Sequence, residues 1–574
     1  LHPIGRHHEE AWRCSKRHRV LVVLCISFGQ IPGQKPTMKH DHHGKQTGPV
    51  WKRGAINSTK EEARMRTHCF LVMVGVIGIG LSVSAATIDV TTTDPAIAAD
   101  GQCSLTEAIL NANADAATHA DCTAGSGADT IELAPSETYV LDQVQVSFYG
   151  PNGLPRILSP ITIEGNDSTI RRAVGAPAFR IMVVSDTGVV ILNDLTLEGG
   201  DSGSTYCGGA LLNAFGSATL NHTTVTGSKA PAGGGICNSS GPMTLTDCVV
   251  SSNTGSTGEG GGLLSIDDVG TPTVKIVRTT VVNNTAPYTG GVGAYDTEMV
   301  ISDSTISGNT AFSDSGYAFC GGVGVIRGTT MINRSTVSGN SAESLVTLSG
   351  FGGGVCVIDN TTTISNSTIS GNEARGATTT GSATTGRGGG IMALGGAWGA
   401  PPSVDTMLII EDSTIYANSA ETYGGGISAN RYAGEMAVEV ELRNTIVAEN
   451  YEGGGAVLGN CVEETPATIA SLDFNLADDS TCNLVGTDDL VVADAMLASI
   501  ADNGGPTLTH LPEAGSPVID MGDTDCPWMD QRRYRRSTDG NGDGLAGCDC
   551  GAVEYDSYPL PVAFEREPPE AVDE

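Results

Sequence analysis

The chain has 574 residues, enough for one large domain or several ordinary ones, with 76 glycines, 5% aromatic and 17% charged residues. Charged residues usually supply about a quarter of a globular chain. The formal net charge of −34 excludes the basic surface on which nucleic-acid binding rests, and abundant Gly, Thr, Ser and Asn favour turns and short strands over long helices.

Residues 1–86 hold 13 Lys/Arg against 5 Asp/Glu, so the acidity belongs to the rest of the chain. Residues 1–64 read as an upstream extension or a disordered segment, with Met65 as the true start. From Met65, one Arg, an apolar run from about Cys69 to Leu81 and the small residues Ser84-Ala85-Ala86 follow in order. This is the layout of a secretory signal peptide over 65–86. Its apolar run is shorter than the ~18 residues a spanning helix needs, so the mature chain is expected to be exported and to lack a transmembrane segment. Twelve cysteines follow Ala86, and an even number in an exported chain points to disulfides. Local pairs, Cys103–Cys122 and Cys461–Cys482, are the first expected.

Residues 87–160 read as an N-terminal cap. Within "DGQCSLTEAILNANADAATHADC" (100–122), Ser104 and Glu107 form a capping box that opens a short helix over Leu105, Ala108 and Ile109. From 161 to 470 the chain repeats itself. "ISDSTISGN" (301–309) and "ISNSTISGN" (364–372) are two of nine copies, the others starting at 192, 220, 245, 276, 332, 410 and 442. Position one is always Leu or Ile and position six always aliphatic. Position nine is Asn in seven copies: Asn253, Asn284, Asn309, Asn340, Asn372, Asn418 and Asn450. A Gly-rich marker such as "GGGICN" (233–238) separates successive copies.

Steps of this length mean stacked supersecondary units. Positions one and six are an odd number apart, so in one flat strand they would face opposite sides. The chain must therefore bend between them, and position three is Asp or Asn in six copies, residues that close such turns. Two short strands around a corner and a third after the glycines make one coil of an all-β, right-handed parallel β-helix. Position nine then forms a column of asparagines, each bonded to the next.

The opening segment resembles the CSLREA segment of secreted bacterial β-helix proteins, with Thr106 in place of the usual Arg. The coils are similar to the repeats of chlamydial polymorphic outer-membrane proteins. "IADNGGPTLTHLPEAGSPVID" (500–520) and "DQRRYRRSTDGNGDGLAGCDCGAVE" (530–554) resemble the C-terminal segment of choice-of-anchor Q domain proteins. The resemblance implies a secreted or surface-exposed β-helix, envelope-associated or at the outer membrane, and no set chemistry. Residues 471–555 are accordingly expected to form a loop-rich C-terminal cap, and 556–574 an acidic, Pro-rich tail.

Two sites stand out. In "DGNGDGLAGCD" (539–549), Asp539, Asn541 and Asp543 alternate before Gly544, the opening half of a calcium loop; Cys550 stands where the loop's closing Glu would be, with Asp549 or Glu554 as its substitute. Calcium is the one cofactor expected. Trp398, Tyr423 and Tyr432 fall on neighbouring coils and are expected to share a ligand face, since aromatics on a flat β-surface suit sugar rings. The strings of pectin-cleaving hydrolases are absent from the sequence. The reading is an exported binding module, adhesin-like or a scaffold, whose partner is a surface glycan or protein. A carbohydrate-active enzyme is the alternative.

Overall fold

The computed structural model describes residues 84–267, 273–345, 349–376, 386–396, 405–431 and 436–559. The expected extension, most of the signal peptide and the tail from 560 lie outside them. Among the described residues no helix is long and apolar enough to cross a membrane.

The chain forms the parallel β-helix that the repeat requires, and parallel crossovers of this kind take the right-handed sense. Thr87–Asp89 pairs in parallel with Asp129–Glu132, and that strand with Pro160–Arg172. Each later turn adds a rung, through Val189–Glu198 and Ser217–Asn221 to Thr468–Ser471. Stacking therefore starts at Thr87, inside the segment expected only to cap the coils. The helix Leu105–Ala114, with Ser104 as N-cap and a complete capping box to Glu107, packs on Asp129–Glu132 and Pro160–Arg172. A disulfide joins Cys103 to Cys122 beside it.

Position-six residues stack in register, Ile306 on Val337, Ile369, Ile415 and Val447, and all have no exposed surface. Burying each such side chain contributes ~1.5–3 kcal/mol. The corner at position three is left-handed in all nine copies, φ running from 45° at Arg278 to 55° at Asp247. His222, Arg278 and Arg334 hold this conformation without being Asp or Asn, and the stack supplies the reason. Arg278 Nε and Nη2 donate to Asp247 Oδ1 and Oδ2 at 2.8 and 2.7 Å. Arg334 grips Asp303 in the same bidentate way at 2.9 and 3.0 Å. The three exceptions alternate with aspartates along one edge, and from Asp247 to Arg334 the corner column is also a column of opposite charges.

The asparagine column is a buried hydrogen-bonded ladder. Asn340 Nδ2 donates to Asn372 Oδ1 at 3.0 Å and to Ile306 O at 2.9 Å, while its N–H donates to the same Asn372 Oδ1 at 3.0 Å. The pattern repeats from Asn253 through Asn284, Asn309, Asn372 and Asn418 to Asn450, and Asn460 ends it. Just after each ladder asparagine the chain makes a fourth short parallel pairing, Lys229–Ala230 on Thr254–Gly255 and onward to Ser419–Ala420. These strands are only two to four residues long, too short for a clear alternation, so three strands per coil were expected and four are found.

Disulfides join Cys103–Cys122, Cys207–Cys237, Cys461–Cys482 and Cys526–Cys548. Cys248, Cys320, Cys356 and Cys550 are buried thiols.

The C-terminal segment differs from the expected cap. The last rungs, Leu476–Ala477 and Leu490–Val491, close the stack; the chain beyond them turns back along its flank as a clasp. Thr507 and Leu508 reach Arg334 and Thr336. Gln531 bonds Thr336 and Thr368, and His510 Nε2 lies 2.8 Å from Ser370 Oγ. The "RRYRR" run is the latch. Arg533 joins Arg334 on Asp303. Arg536 is fully buried and donates to Asn366 Oδ1, Asp549 O and Gly551 O at 3.2, 3.1 and 2.6 Å. Arg533 thus adds a second cation at Asp303, and Arg536 brings one to Asn366, past Arg334, where the coils supply only Asn366, Asp412 and Asn444 at position three.

Candidate ligand surface

The residue just before each Gly-rich corner lies on the outside of the stack, and consecutive coils place these residues in one column. In order they are Glu259, Tyr288, Phe319, Phe351, Arg387 and Tyr423. Phe319 is in register with Phe351, Phe351 with Arg387, and Arg387 with Tyr423. Five steps of ~4.8 Å make this ledge roughly 24 Å long. The Phe319 and Phe351 rings stack at 5.0 Å between centroids, with Tyr288 at 6.4 Å from Phe319, and Tyr317 closes against both phenylalanines at 5.7 and 5.9 Å. The Arg387 guanidinium lies over the Tyr423 ring at 5.4 Å. Ile326, Ile358, Met392 and Leu394 form the apolar bed beneath. The ledge is graded from nearly closed to open: Phe319 is 7% exposed and Tyr423 44%.

Charged groups flank it. Burial pushes the Glu259 carboxyl up to about 7, against the opposing influence of a hydrogen bond from Tyr295 and the charge of Arg327. Arg327 is itself held by Asp296 through two bonds of 2.7 Å. Burial also raises Asp359, although Gly396 N–H donates to it at 2.7 Å. At the other end Glu464 bridges Arg387 and Asn430. The surface therefore sets aromatic rings, packed on one another from Tyr288 to Phe351 and open at Tyr423, with a carboxyl and a guanidinium at fixed places along one line.

Tyr423 belongs to this ledge. Trp398 and Tyr432, expected to share a face with it, lie outside the described residues. The other members went unnoticed in the sequence, yet each stands just before the corner marker, as in "GFGGG", "GRGGG" and "TYGGG". Aligning that one position across copies would have shown the column.

At the C-terminal loop, Asp539 accepts from Gly542 and Gly544 N–H at 2.8 and 2.9 Å, Asn541 Oδ1 from Asp543 N–H, and Asp543 Oδ1 from Leu545 N–H. Asp549 sits apart from that turn network. It is 1% exposed and accepts from the N–H groups of Asp520 and Tyr555. Burial, with Glu554 beside it, pushes its carboxyl up to about 7. Among the described residues no three His, Cys, Asp or Glu side chains converge as a metal site. A small cavity lies between coil and clasp, bounded by Glu411, Asp412, Arg443, Asn444, Asp523 and Asp525. The Arg443–Asp523 pair crosses it.

No family model matches the chain, and no curated protein matches it. Among solved structures, the crystal structure of the pectate lyase Pel9A aligns over 83% of this chain and 98% of that one, at 13% identity and a TM-score of 0.37.

Proposed function

We propose that this is an exported, cell-surface or extracellular β-helix protein that acts by binding, and that its ligand is a glycan laid along the ledge from Glu259 to Tyr423. The observation that carries this is the stacked column itself. Aromatic rings at a regular spacing on a rigid β-surface make an apolar platform for sugar rings, most open at Tyr423, and Arg387 and Glu259 supply polar groups for hydroxyl or carboxylate substituents. The signal-like segment, the disulfides and the acidic balance support an envelope or extracellular setting. The CSLREA-like opening and the choice-of-anchor Q-like ending support it further.

The test is a polysaccharide array read both for retention and for cleavage, with wild type, Phe351→Ala and Tyr423→Ala. Loss of one aromatic platform should weaken retention on the order of tenfold, ~1.4 kcal/mol. Equal retention by all three proteins would remove the ledge from the reading. A second reading, a carbohydrate-active enzyme, draws on Glu259 alone, because a carboxyl poised near neutral pH suits acid–base work. Cleavage on the array that Glu259→Gln abolishes would favour it.

A further inference from the structure

One column of the stack departs from its own rule at Cys320. The residue that opens the Gly-rich corner is a left-handed glycine at Gly208, Gly233, Gly260, Gly352, Gly388 and Gly424, while Thr289 fills the place without that backbone. Cys320 holds the same place with φ 55°, its N–H donating to Phe351 O as that of Gly352 donates to Arg387 O. A side chain is strained in this conformation, and glycine would turn the corner without that cost. The next coil sets a second thiol against it. Cys356 is in register with Gly324, and a Cβ built on Gly324 would meet Cys320 Sγ at 2.8 Å. Cys356 Sγ donates to Phe351 O at 3.4 Å, the carbonyl that also accepts from Cys320 N–H at 2.8 Å, and neither thiol is more than 2% exposed.

The same corner already carries a cross-link earlier in the stack. Cys237 is in register with Leu212 as Cys356 is with Gly324, and it is bonded to Cys207 across neighbouring coils with a Cα–Cα distance of 5.7 Å. A Cβ built on Gly208, the equivalent of Cys320, lies 3.1 Å from Cys237 Cβ. A Cβ built on Gly352 lies 3.3 Å from Met392 Cβ in the following coil. A disulfide spans ~3.5–4.5 Å between Cβ atoms, so a shift of a few tenths of an ångström accommodates one.

We propose that Cys320 and Cys356 close as a further inter-coil disulfide, tying the coil of Phe319 to that of Phe351 beneath the ledge. The oxidant is a small-molecule or protein disulfide. One cysteine thiolate attacks it and releases a thiol, and the second displaces the remaining half. Two cysteine thiols thereby lose two electrons and two protons, and the oxidant's disulfide becomes two thiols. Both sulfurs are enclosed in the finished coil, so the exchange belongs to the folding chain.

The experiment takes the folded full chain from an oxidising compartment, denatures and alkylates it without reduction, and maps the proteolytic peptides. The fragments containing Cys320 and Cys356 should be recovered joined, with Cys248 and Cys550 alkylated as internal controls. Cys320→Gly, which installs the residue the corner uses elsewhere, should fold and return Cys356 fully alkylated. Recovery of Cys320 and Cys356 as alkylated peptides from wild type, or of either joined to another cysteine, overturns the assignment.

Discussion

The same strand of the repeat lives in two environments. In the earlier coils, Thr224–Thr226, Thr280–Val282 and Thr305–Ser307 bury only their central residue. In the later ones, Thr368–Ser370, Thr414–Tyr416 and Ile446–Ala448 bury all three. The difference is the clasp. Apart from Arg533 on Asp303, the earlier coils depend on neighbours one turn away, whereas the later ones have a second partner whose contacts cross as many as 170 residues of chain, from Arg536 to Asn366. Local repetition builds the stack, and long-range polar bonds attach the clasp to it.

The largest expected effect breaks the latch. Arg536 and Glu554 are both fully buried, 3.8 Å apart. Removing one partner of a buried pair costs ~3–5 kcal/mol. Arg536→Ala should lose about that much stability in denaturant, and amide exchange should quicken at Thr368–Ser370 and Thr414–Tyr416 while Thr224–Thr226 keeps its protection. Equal loss at both places would mean that stack and clasp form one cooperative unit.

Acid should separate the two regions next. Burial raises Asp549 to about 7, and it raises Glu554 too. A folded-state pKa above the unfolded ~3.9 means that the native clasp holds more protons across that window. Its stability is therefore greatest below the window and falls as pH rises to about 7, with on the order of 2–3 kcal/mol lost between pH ~5 and ~7. The charge column behaves oppositely. Burial pushes Asp303 up, but hydrogen bonds from Arg334 and Arg533 more than offset this, leaving it lowered. Its contribution is present at neutral pH and is lost only as pH falls below the ordinary carboxylate range. Protection of Thr414–Tyr416, taken relative to the intrinsic exchange rate at each pH, should thus be higher at pH 5 than at pH 7.5, and Asp549→Asn should flatten that difference. A clasp that loosens at pH 5 would reverse the assignment.

Asn340→Leu probes the stack. It strands the N–H of Asn309 and the Ile306 carbonyl, costing ~1–3 kcal/mol, with the exchange increase centred on the adjoining rungs. Wild-type stability would show that the ladder is dispensable. The smallest effect is expected at Asp539, Asn541 and Asp543. A calcium ion there competes with the turn's own amides, so the gain should stay below ~2.7 kcal/mol, the value for hundred-fold saturation. Asp543→Ala should abolish that rise in melting temperature, and an equal rise in the variant would place calcium elsewhere.

Much of the stack was legible because its determinants recur. Two aliphatic columns, a turn residue at position three and an asparagine at position nine are repeated once per coil, so chance agreement is small. The ledge was half legible: Tyr423 stood out as an aromatic, but its column mates sit one per coil and show only when the corner markers are aligned. The clasp left fainter marks, Tyr416, Ile446 and Ala448 standing where earlier coils place Ser and Thr on the outward face.

The sequence by itself therefore determined the coil, because every coil meets the same neighbours and a one-turn pattern is enough to specify what packs inside. Only the tertiary structure decided where residues 497–559 lie, which arginine meets which aspartate, and which thiols face each other. Those contacts are made once, between segments far apart in the chain, and no periodicity announces a contact that is made once.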